Sequence, residues 1–388
     1  MTSSAADVLV IGAGPAGLYL AGSLARAGHR VIVCEEHPTI GDPVHCTGLL
    51  ATEAFDEFEL PRDAILNTVA RVQFFSPSGL LIEYSSRKPP AAVIDRGRFD
   101  RALAERAEAA GVEIRLNTRV QDLATRDEAV EAVAAGTPIR ARLAVLACGA
   151  RYAVQQAKRL GIPKVFLHTA QREVPAGRLH DVEVHFGRDV APGGFAWAVP
   201  VRRPGGNCVR IGVMASHDAP GYFRRMIARV ENRWHIAPPI AAPRLKILPL
   251  SSIRRTYSHR LLVIGDAAGL VKPTTGGGIY YAIVSARLAA DVAADALRRN
   301  RLDEAMLSPY ETRWRARLEH EFDAQQAMRR AALALSDQEI DAFFDLAQTD
   351  GVMPLVRKTA RFNEHRHLIG ALFKHPPARR ILLRAVTS

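Results

Sequence analysis

Nowhere in this 388-residue chain do apolar residues run uninterrupted for the roughly 18 positions that a membrane-spanning helix needs. No transmembrane helix is expected. The apolar N-terminus lacks the basic leader of a secretory signal, and its glycine spacing suits a nucleotide loop, so no signal peptide is expected either. Cysteine is scarce. Cys34, Cys46, Cys148 and Cys208 include no C-x-x-C pair, which argues against a disulfide framework and a zinc site. No metal is expected, and a reducing, cytoplasmic location is. No zinc finger, helix-turn-helix or aromatic-interleaved basic motif is visible, so nucleic acid is not an expected partner. Acids are outnumbered, 40 Asp and Glu against 52 Lys and Arg, for a net charge of +12. From Gly351 to Ser388 there are eight Lys/Arg and only Glu364 to oppose them. A basic C-terminus of this kind suits peripheral association with an anionic membrane surface, or an acidic redox partner.

Two glycine-rich loops stand out. VLVIGAGPAGLYLAGSLARAG begins at Val8, and GDAAGLVKPTTGGGIYYAI covers 265–283. Each follows a short apolar strand and leads into a helix, which presents backbone N–H groups to an anionic ligand. Asp7–Ile11, Pro15–Ala27 and Arg30–Cys34 read as strand, helix and strand, the βαβ setting that gives G-x-G-x-x-G (Gly12, Gly14, Gly17) its meaning. Glu35 closes the second strand, where a carboxylate accepts ribose hydroxyls; its neighbour Glu36 leaves that assignment open by one position. Asp266, after the strand Leu261–Ile264, suits a ribityl hydroxyl, and Gly276, Gly277 and Gly278 permit close approach of a ring. The pair of loops indicates FAD, held at both ends.

Elsewhere, Val69–Phe75 and Leu80–Tyr84 read as a hairpin around Ser76–Gly79. Arg98–Ala110 reads as a helix, and Glu113–Leu116 and Ala141–Ala147 as strands. Phe166–Ile253 is β-rich, with turn clusters, as in an antiparallel sheet inserted between parallel segments. After Ile279 the chain reads as helical, with breaks at Pro309, Gly351–Pro354 and Pro376-Pro377. The expected fold is a doubly wound α/β FAD-binding domain from residues 1–66, 86–165 and 254–300. An antiparallel substrate domain would come from 67–85 and 166–253, and a helical basic region from 301–388.

These motifs, with GDPVHCTGL (41–49), VIDRGRFDRALAERAEAAG (93–111) and FAWAVP (195–200), resemble the geranylgeranyl reductase family of flavoproteins, within the para-hydroxybenzoate-hydroxylase-like fold group. The resemblance spans residues 7 to about 290. It implies an oxidoreductase that saturates C=C bonds of an isoprenoid chain by hydride transfer from reduced FAD plus protonation, with NADPH or ferredoxin as electron donor. It implies cofactor contacts at Gly12, Gly14, Pro15, Ala16, Gly17, Glu35 or Glu36, Cys46, Arg96, Gly265, Asp266, Pro273, Gly276, Gly277, Gly278 and Ile279. Cys46 and, secondarily, His45 become the candidate proton donors. Phe195, Trp197 and Pro200 become the expected lining of the prenyl cavity, while Cys34 within an apolar strand is expected in the core. Two alternatives remain: an FAD monooxygenase of an aromatic or polyketide-like substrate, and a non-catalytic prenyl-binding escort. Cys148-Gly149 stands where hydroxylases carry Asp-Gly, a departure that weighs against the first.

Overall fold

The computed structural model describes residues 4–349 and 351–387. Met1–Ser3, Asp350 and Ser388, which belong to the expected segments 1–66 and 301–388, lie outside the described residues.

Val8–Ile11, the end of the strand Ser4–Ile11, and the strand Val31–Cys34 are continuous apolar runs because both faces of their sheet are covered. They pair in parallel, with Val8 opposite Val31 and Ile11 opposite Cys34. Thr137–Leu146 flanks Ser4–Ile11 on its other side, also in parallel, and Leu261–Val263 and Glu113–Arg115 extend the sheet outward. Eight strands form this sheet, with the hairpin Val120–Thr125 and Val130–Ala134 as a branch from Thr137–Leu146. The helix Pro15–Arg26 packs against both Arg96–Ala109 and Ile279–Arg298, so segments from three parts of the chain share one core. Cys34 lies in that core, and burial pushes its thiol up to about 11.

A second sheet has seven strands, antiparallel except where Val182–His185 runs parallel to Arg71–Phe75. Its central strand Phe195–Arg203 alternates faces. Ala196 and Ala198 turn to one apolar cluster and Trp197, Val199 and Val201 to another. The first cluster is completed by the helix Ala219–Trp234, which interrupts the stretch that reads as β-rich in sequence. Its apolar positions Phe223, Met226, Ile227, Val230 and Trp234 fall at helical spacing and are buried against the sheet. Val69–Phe75 likewise is not one strand. It divides at Ala70 into Ile65–Val69, in a small three-stranded sheet with Leu49–Ala51 and Ala91–Ile94, and Arg71–Phe75 in the seven-stranded sheet.

The C-terminal region is helical: Pro309–Ala334, Asp337–Thr349, Val352–Thr359, Arg366–Lys374 and Pro376–Thr387. Pro309 and Pro376 open helices, where the missing N–H costs nothing. These helices form their own small core around Ala331, Ala347, Val352 and Leu372. Among the described residues no helix is long and apolar enough to cross a membrane.

Candidate flavin and substrate site

At the nucleotide end, two glycines are required by contact. A Cβ on Gly12, whose φ is +106°, would lie 2.5 Å from the carbonyl oxygen of Ala147, and one on Gly17 would lie 2.1 Å from that of Gly12. Gly14 differs: a Cβ there would meet no protein atom within 4 Å. Gly14 is also the N-cap of the helix that starts at Pro15 and Ala16, and no side chain caps it. Open space beside an uncapped helix N-terminus is the cradle that a diphosphate fills. Of the two acidic neighbours, Glu35 faces the loop. Its Oε2 accepts from the Ala13 N–H at 2.8 Å, and its Oε1 accepts from the His37 N–H at 3.1 Å. Glu36 turns away, to Arg151 at 2.6 Å and Arg119 at 3.9 Å.

The second loop meets the first at Gly265, where the Ala16 and Ala282 Cβ atoms would each lie 3.3 Å from an added Cβ. Asp266 follows in a tight turn, with Lys246 Nζ at 3.3 Å from its Oδ2. Its carbonyl accepts from the Tyr152 hydroxyl at 3.3 Å, and burial, then Asp266, raises that phenol's pKa. Pro273 is buried below the glycine run. Gly276, at φ +71°, leaves no room for a side chain beside Leu248. The helix Ile279–Arg298 starts beyond Gly278 with no side-chain cap. The two uncapped helix starts and the space over Gly14 fit FAD, and the second helix start would favour negative charge on the part of the cofactor held there.

Unlike the first loop, the second is anchored from far away. Lys272 Nζ donates to the Phe362 carbonyl at 2.6 Å and to Asn363 Oδ1 at 3.0 Å. Thr274 Oγ1 lies 2.8 Å from His365 Nδ1 and donates to Gln325 Oε1 at 3.0 Å. Burial lowers the Lys272 ammonium to about 7, against the pull of Glu321 and Glu53.

Cys46 sits on the half-buried loop between the two sheets, and its sulfur accepts from the Gly48 N–H at 3.3 Å. Arg96 does not extend alone toward a cofactor. Its guanidinium grips Asp100 (2.7 Å) and takes the Cys46 sulfur as a further partner. Burial works against its charge, but Asp100 and then Cys46 outweigh it, and Arg96 stays cationic. His45 Nε2 lies 3.3 Å from Thr169 Oγ1. Burial, and then Lys246, holds the pKa of His45 down. The next residues are fixed from the seven-stranded sheet: Thr47 Oγ1 donates to Gln171 at 2.9 Å, and Arg210 Nη1 donates to the Thr47 and Ile94 carbonyls at 2.7 and 2.9 Å. Glu173 holds Arg210 in turn, at 2.6 Å. A buried arginine inside the apolar strand NCVRIGVMA was the signal for this brace, and strand periodicity alone passes over it.

Phe195 and Trp197 share one sheet face, their rings 5.8 Å apart, in the cluster with Met214, Leu250 and Val271. Trp197 fills a slot left by Gly212 opposite it, where a Cβ would lie 2.3 Å from the indole. The indole N–H is buried without a protein acceptor among the described residues. Pro200 falls on the opposite face by strand alternation, so it does not line the same wall as Trp197; its carbonyl is tied to Asn67 at 3.2 Å. A cleft of about 400 Å³ opens at the sheet edge, lined by His168, Thr169, His217, Leu245, Lys246 and Ile247; Phe195, Trp197 and Pro200 are not part of its lining. Cys148 donates to the Arg151 carbonyl at 3.2 Å, with its thiol pushed by burial to about 11.

Residues 5–169 match the model of the FAD binding domain family. The chain is 32% identical over 356 residues to the digeranylgeranylglycerophospholipid reductase of Methanocaldococcus jannaschii, covering 87% of this chain and 89% of that one. It is 30% identical to the protein of the same name from Methanospirillum hungatei, with 87% and 88% covered. A geranylgeranyl bacteriochlorophyll reductase-like protein from Thermoplasma acidophilum superposes with a TM-score of 0.85 at 22% identity, over 99% of this chain and 100% of that one. The myxobacterial chondrochloren halogenase, an FAD-dependent enzyme, superposes at 0.66 with 19% identity, over 98% and 97%. The two structural likenesses show the fold, which halogenases and reductases share, whereas the sequence relationship is narrower. From its identity to those reductases along nearly their whole length, together with its paired glycine loops, the chain belongs to the geranylgeranyl reductase family of flavoproteins.

Proposed function

We propose that this protein is an FAD-dependent oxidoreductase that saturates C=C bonds in the geranylgeranyl or related isoprenoid chains of a lipid. The observation that carries the reading is the 32% identity to a digeranylgeranylglycerophospholipid reductase over 87% of the chain. Gly12, Gly14, Pro15, Ala16, Gly17 and Glu35 would hold the nucleotide end, and Gly265, Asp266, Pro273, Gly276, Gly277, Gly278 and Ile279 the flavin end. When bound and reduced, FAD supplies a hydride to one carbon of the alkene.

The other carbon needs a proton, and an isolated alkene offers no carbonyl to stabilise charge, so donor and cavity must come from the protein. Cys46 is the proton donor in this reading. The Gly48 N–H and the Arg96 guanidinium both contact the sulfur and orient it. His45 is the weaker candidate, because its lowered pKa keeps the imidazole neutral near pH 7. Phe195 and Trp197, with the apolar cluster behind them, supply a wall that suits a hydrocarbon and excludes water. The division of labour follows the sheets: 1–66, 86–165 and 254–300 for FAD, 67–85 and 166–253 for substrate. The basic segment 351–388 holds the protein at an anionic membrane surface, where such a lipid resides.

Anaerobic incubation of the dithionite-reduced protein with a geranylgeranyl glycerophospholipid should give products heavier by two hydrogens per bond. Turnover that requires oxygen would favour the monooxygenase, and a colourless protein that binds no added FAD would favour the escort. Full turnover by Cys46→Ala with FAD bound would remove Cys46 from the mechanism. Co-sedimentation with anionic liposomes unchanged by deletion of 351–388 would remove the membrane role of that segment.

A further inference from the structure

The strand Arg244–Pro249 is the edge of the seven-stranded sheet, and one of its faces closes on the second glycine loop at two points. Leu248 comes against Gly276, where an added Cβ would lie 2.4 Å from its Cδ2. Two residues earlier on the same face, Lys246 Nζ lies 3.3 Å from Asp266 Oδ2. The other oxygen of that carboxylate, Oδ1, rests 2.9 Å from where a Cβ on Gly278 would be. The Asp266 carboxylate therefore sits between a lysine and the uncapped start of the helix Ile279–Arg298. Strand pairing fixes the lysine in place: Lys246 lies opposite Thr169, whose hydroxyl donates to its carbonyl at 2.9 Å.

The charges around this point cancel in pairs. Among the described residues Lys246 is the one cation within ion-pair distance of Asp266, and their side chains are 37% and 22% exposed. On the helix Arg96–Ala109, Asp100 is held by Arg96 at 2.7 Å, ahead of the weaker pull of Lys246. His45 also feels Lys246, but burial is the larger reason that its imidazole stays neutral. The flavin end is thus neutral as it stands, and Lys246 makes it so. Without that lysine, Asp266 would leave an uncompensated negative charge there. Two electrons and one proton added to a bound flavin leave it one unit more negative. A bare carboxylate opposes that change, whereas a neutralised one beside a helix start does not.

We propose that Lys246 is a positioning residue for flavin reduction: by neutralising Asp266 it strengthens the hold on the reduced cofactor over the oxidised one, and so raises the flavin's reduction potential. The inference rests on the FAD reading above and adds a residue that neither glycine loop contains. The electrons come from the reductant, dithionite in the test below, and the proton from solvent; Lys246 supplies neither. Because the lysine is partly exposed, solvent screens its charge. The expected effect is about tenfold in the ratio of reduced to oxidised FAD affinity. For a two-electron couple, tenfold corresponds to about 30 mV.

The test measures the midpoint potential of FAD bound to the full-length protein, and the dissociation constants of both cofactor forms. It is run at pH 8, where His45 is neutral with or without Lys246. Lys246→Met should weaken binding of reduced FAD about tenfold more than binding of oxidised FAD, and lower the potential by about 30 mV. Lys246→Gln, a second neutral variant, should show the same shift. Lys246→Arg keeps the charge and should keep the parent's potential. Leu248→Ala, altered on the same face of the same strand, should weaken both forms alike and leave the potential where it was. The parent's potential in both neutral variants overturns the proposal, as does an equal drop in Lys246→Arg or Leu248→Ala. Failure of the FAD reading is seen separately, as a parent protein that stays colourless with added FAD. Failure of the reductase reading is seen as a reduced parent that leaves the geranylgeranyl lipid unsaturated while the potential still shifts in Lys246→Met.

Discussion

The two glycine loops, both proposed to hold FAD, are shaped by different means. The first is nearly self-contained. Gly12, Gly17, Ala13 and Glu35 satisfy one another within a few tens of residues, and from outside that unit Ala147 and Cys148 close on Gly12. The second takes its shape from the other end of the chain. Lys272 and Thr274 reach Phe362, Asn363 and His365, while Tyr281 donates to the Asn363 carbonyl at 3.0 Å and Asn363 donates to Glu53 at 3.0 Å. One loop is a backbone device that needs only the absence of side chains. The other is a side-chain device, so the C-terminal helical region shapes the second loop as well as carrying a basic tail.

Substitutions in the first loop should give the largest effects and divide sharply between two glycines. Gly17→Val places a branched side chain where even a Cβ would sit 2.1 Å from the Gly12 carbonyl. It should prevent the helix from docking on the sheet and yield insoluble or unfolded protein by circular dichroism. Gly14→Val points into open space and has φ −77°, which a valine adopts, so the apoprotein should melt as the parent does. Its FAD affinity should drop by about 100-fold or more, since the side chain fills the diphosphate cradle. Equal FAD binding by Gly14→Val and the parent would move the cofactor out of this loop.

The second loop should fail more gently. Lys272→Met leaves the Phe362 carbonyl and Asn363 Oδ1 without this donor, at a cost of about 1–3 kcal/mol. Relief from burying an amine offsets part of that. The urea midpoint should fall with an unchanged slope. FAD should also leave faster, by up to about tenfold if roughly 1.4 kcal/mol of the loss is felt by the bound state. Unchanged FAD release would mean that the C-terminal anchor does not support the cofactor.

The same contrast explains what could be read in the sequence. The parallel strands, Gly12, Gly14, Gly17, the turn at Asp266 and the helix after Gly278 are local patterns, set by burial on both faces and by close backbone approach. The choice between Glu35 and Glu36 depends on Arg151, which lies more than a hundred residues away and draws Glu36 aside. The apolar wall of Phe195 and Trp197 depends on register. Trp197 fits because Gly212 lies opposite it, and Pro200 misses that wall by one position of strand alternation. Arg96 turned to Asp100 and Cys46 because a buried guanidinium needs a carboxylate, and Asp100 lies one helical turn on. The helix Ala219–Trp234 could have been recognised from its 3.6-residue spacing; the strands on both sides of it obscured the change of period.

Acid should separate the loops once more, with the smallest effect. His365 has its pKa lowered from 6.5 to about 4, chiefly by burial and then by Lys272, against its contact with the Phe362 carbonyl. Between those two values the unfolded chain binds a proton at this position that the folded protein does not. The stability tied to a neutral His365 is therefore complete above pH 6.5 and is lost as pH falls through 4. Lys272 acts in a different window: its folded pKa of about 7 lies below the ordinary 10.5, so its contribution grows only as pH rises from 7 toward 10.5. Urea midpoints of the parent and His365→Gln, measured from pH 7 to 4, should converge or cross as the parent loses the larger share. Gly14→Val, altered only in the first loop, should follow the parent's slope. Parallel loss in the parent and His365→Gln would place the acid sensitivity elsewhere and leave the second loop's anchor insensitive to protons in that range.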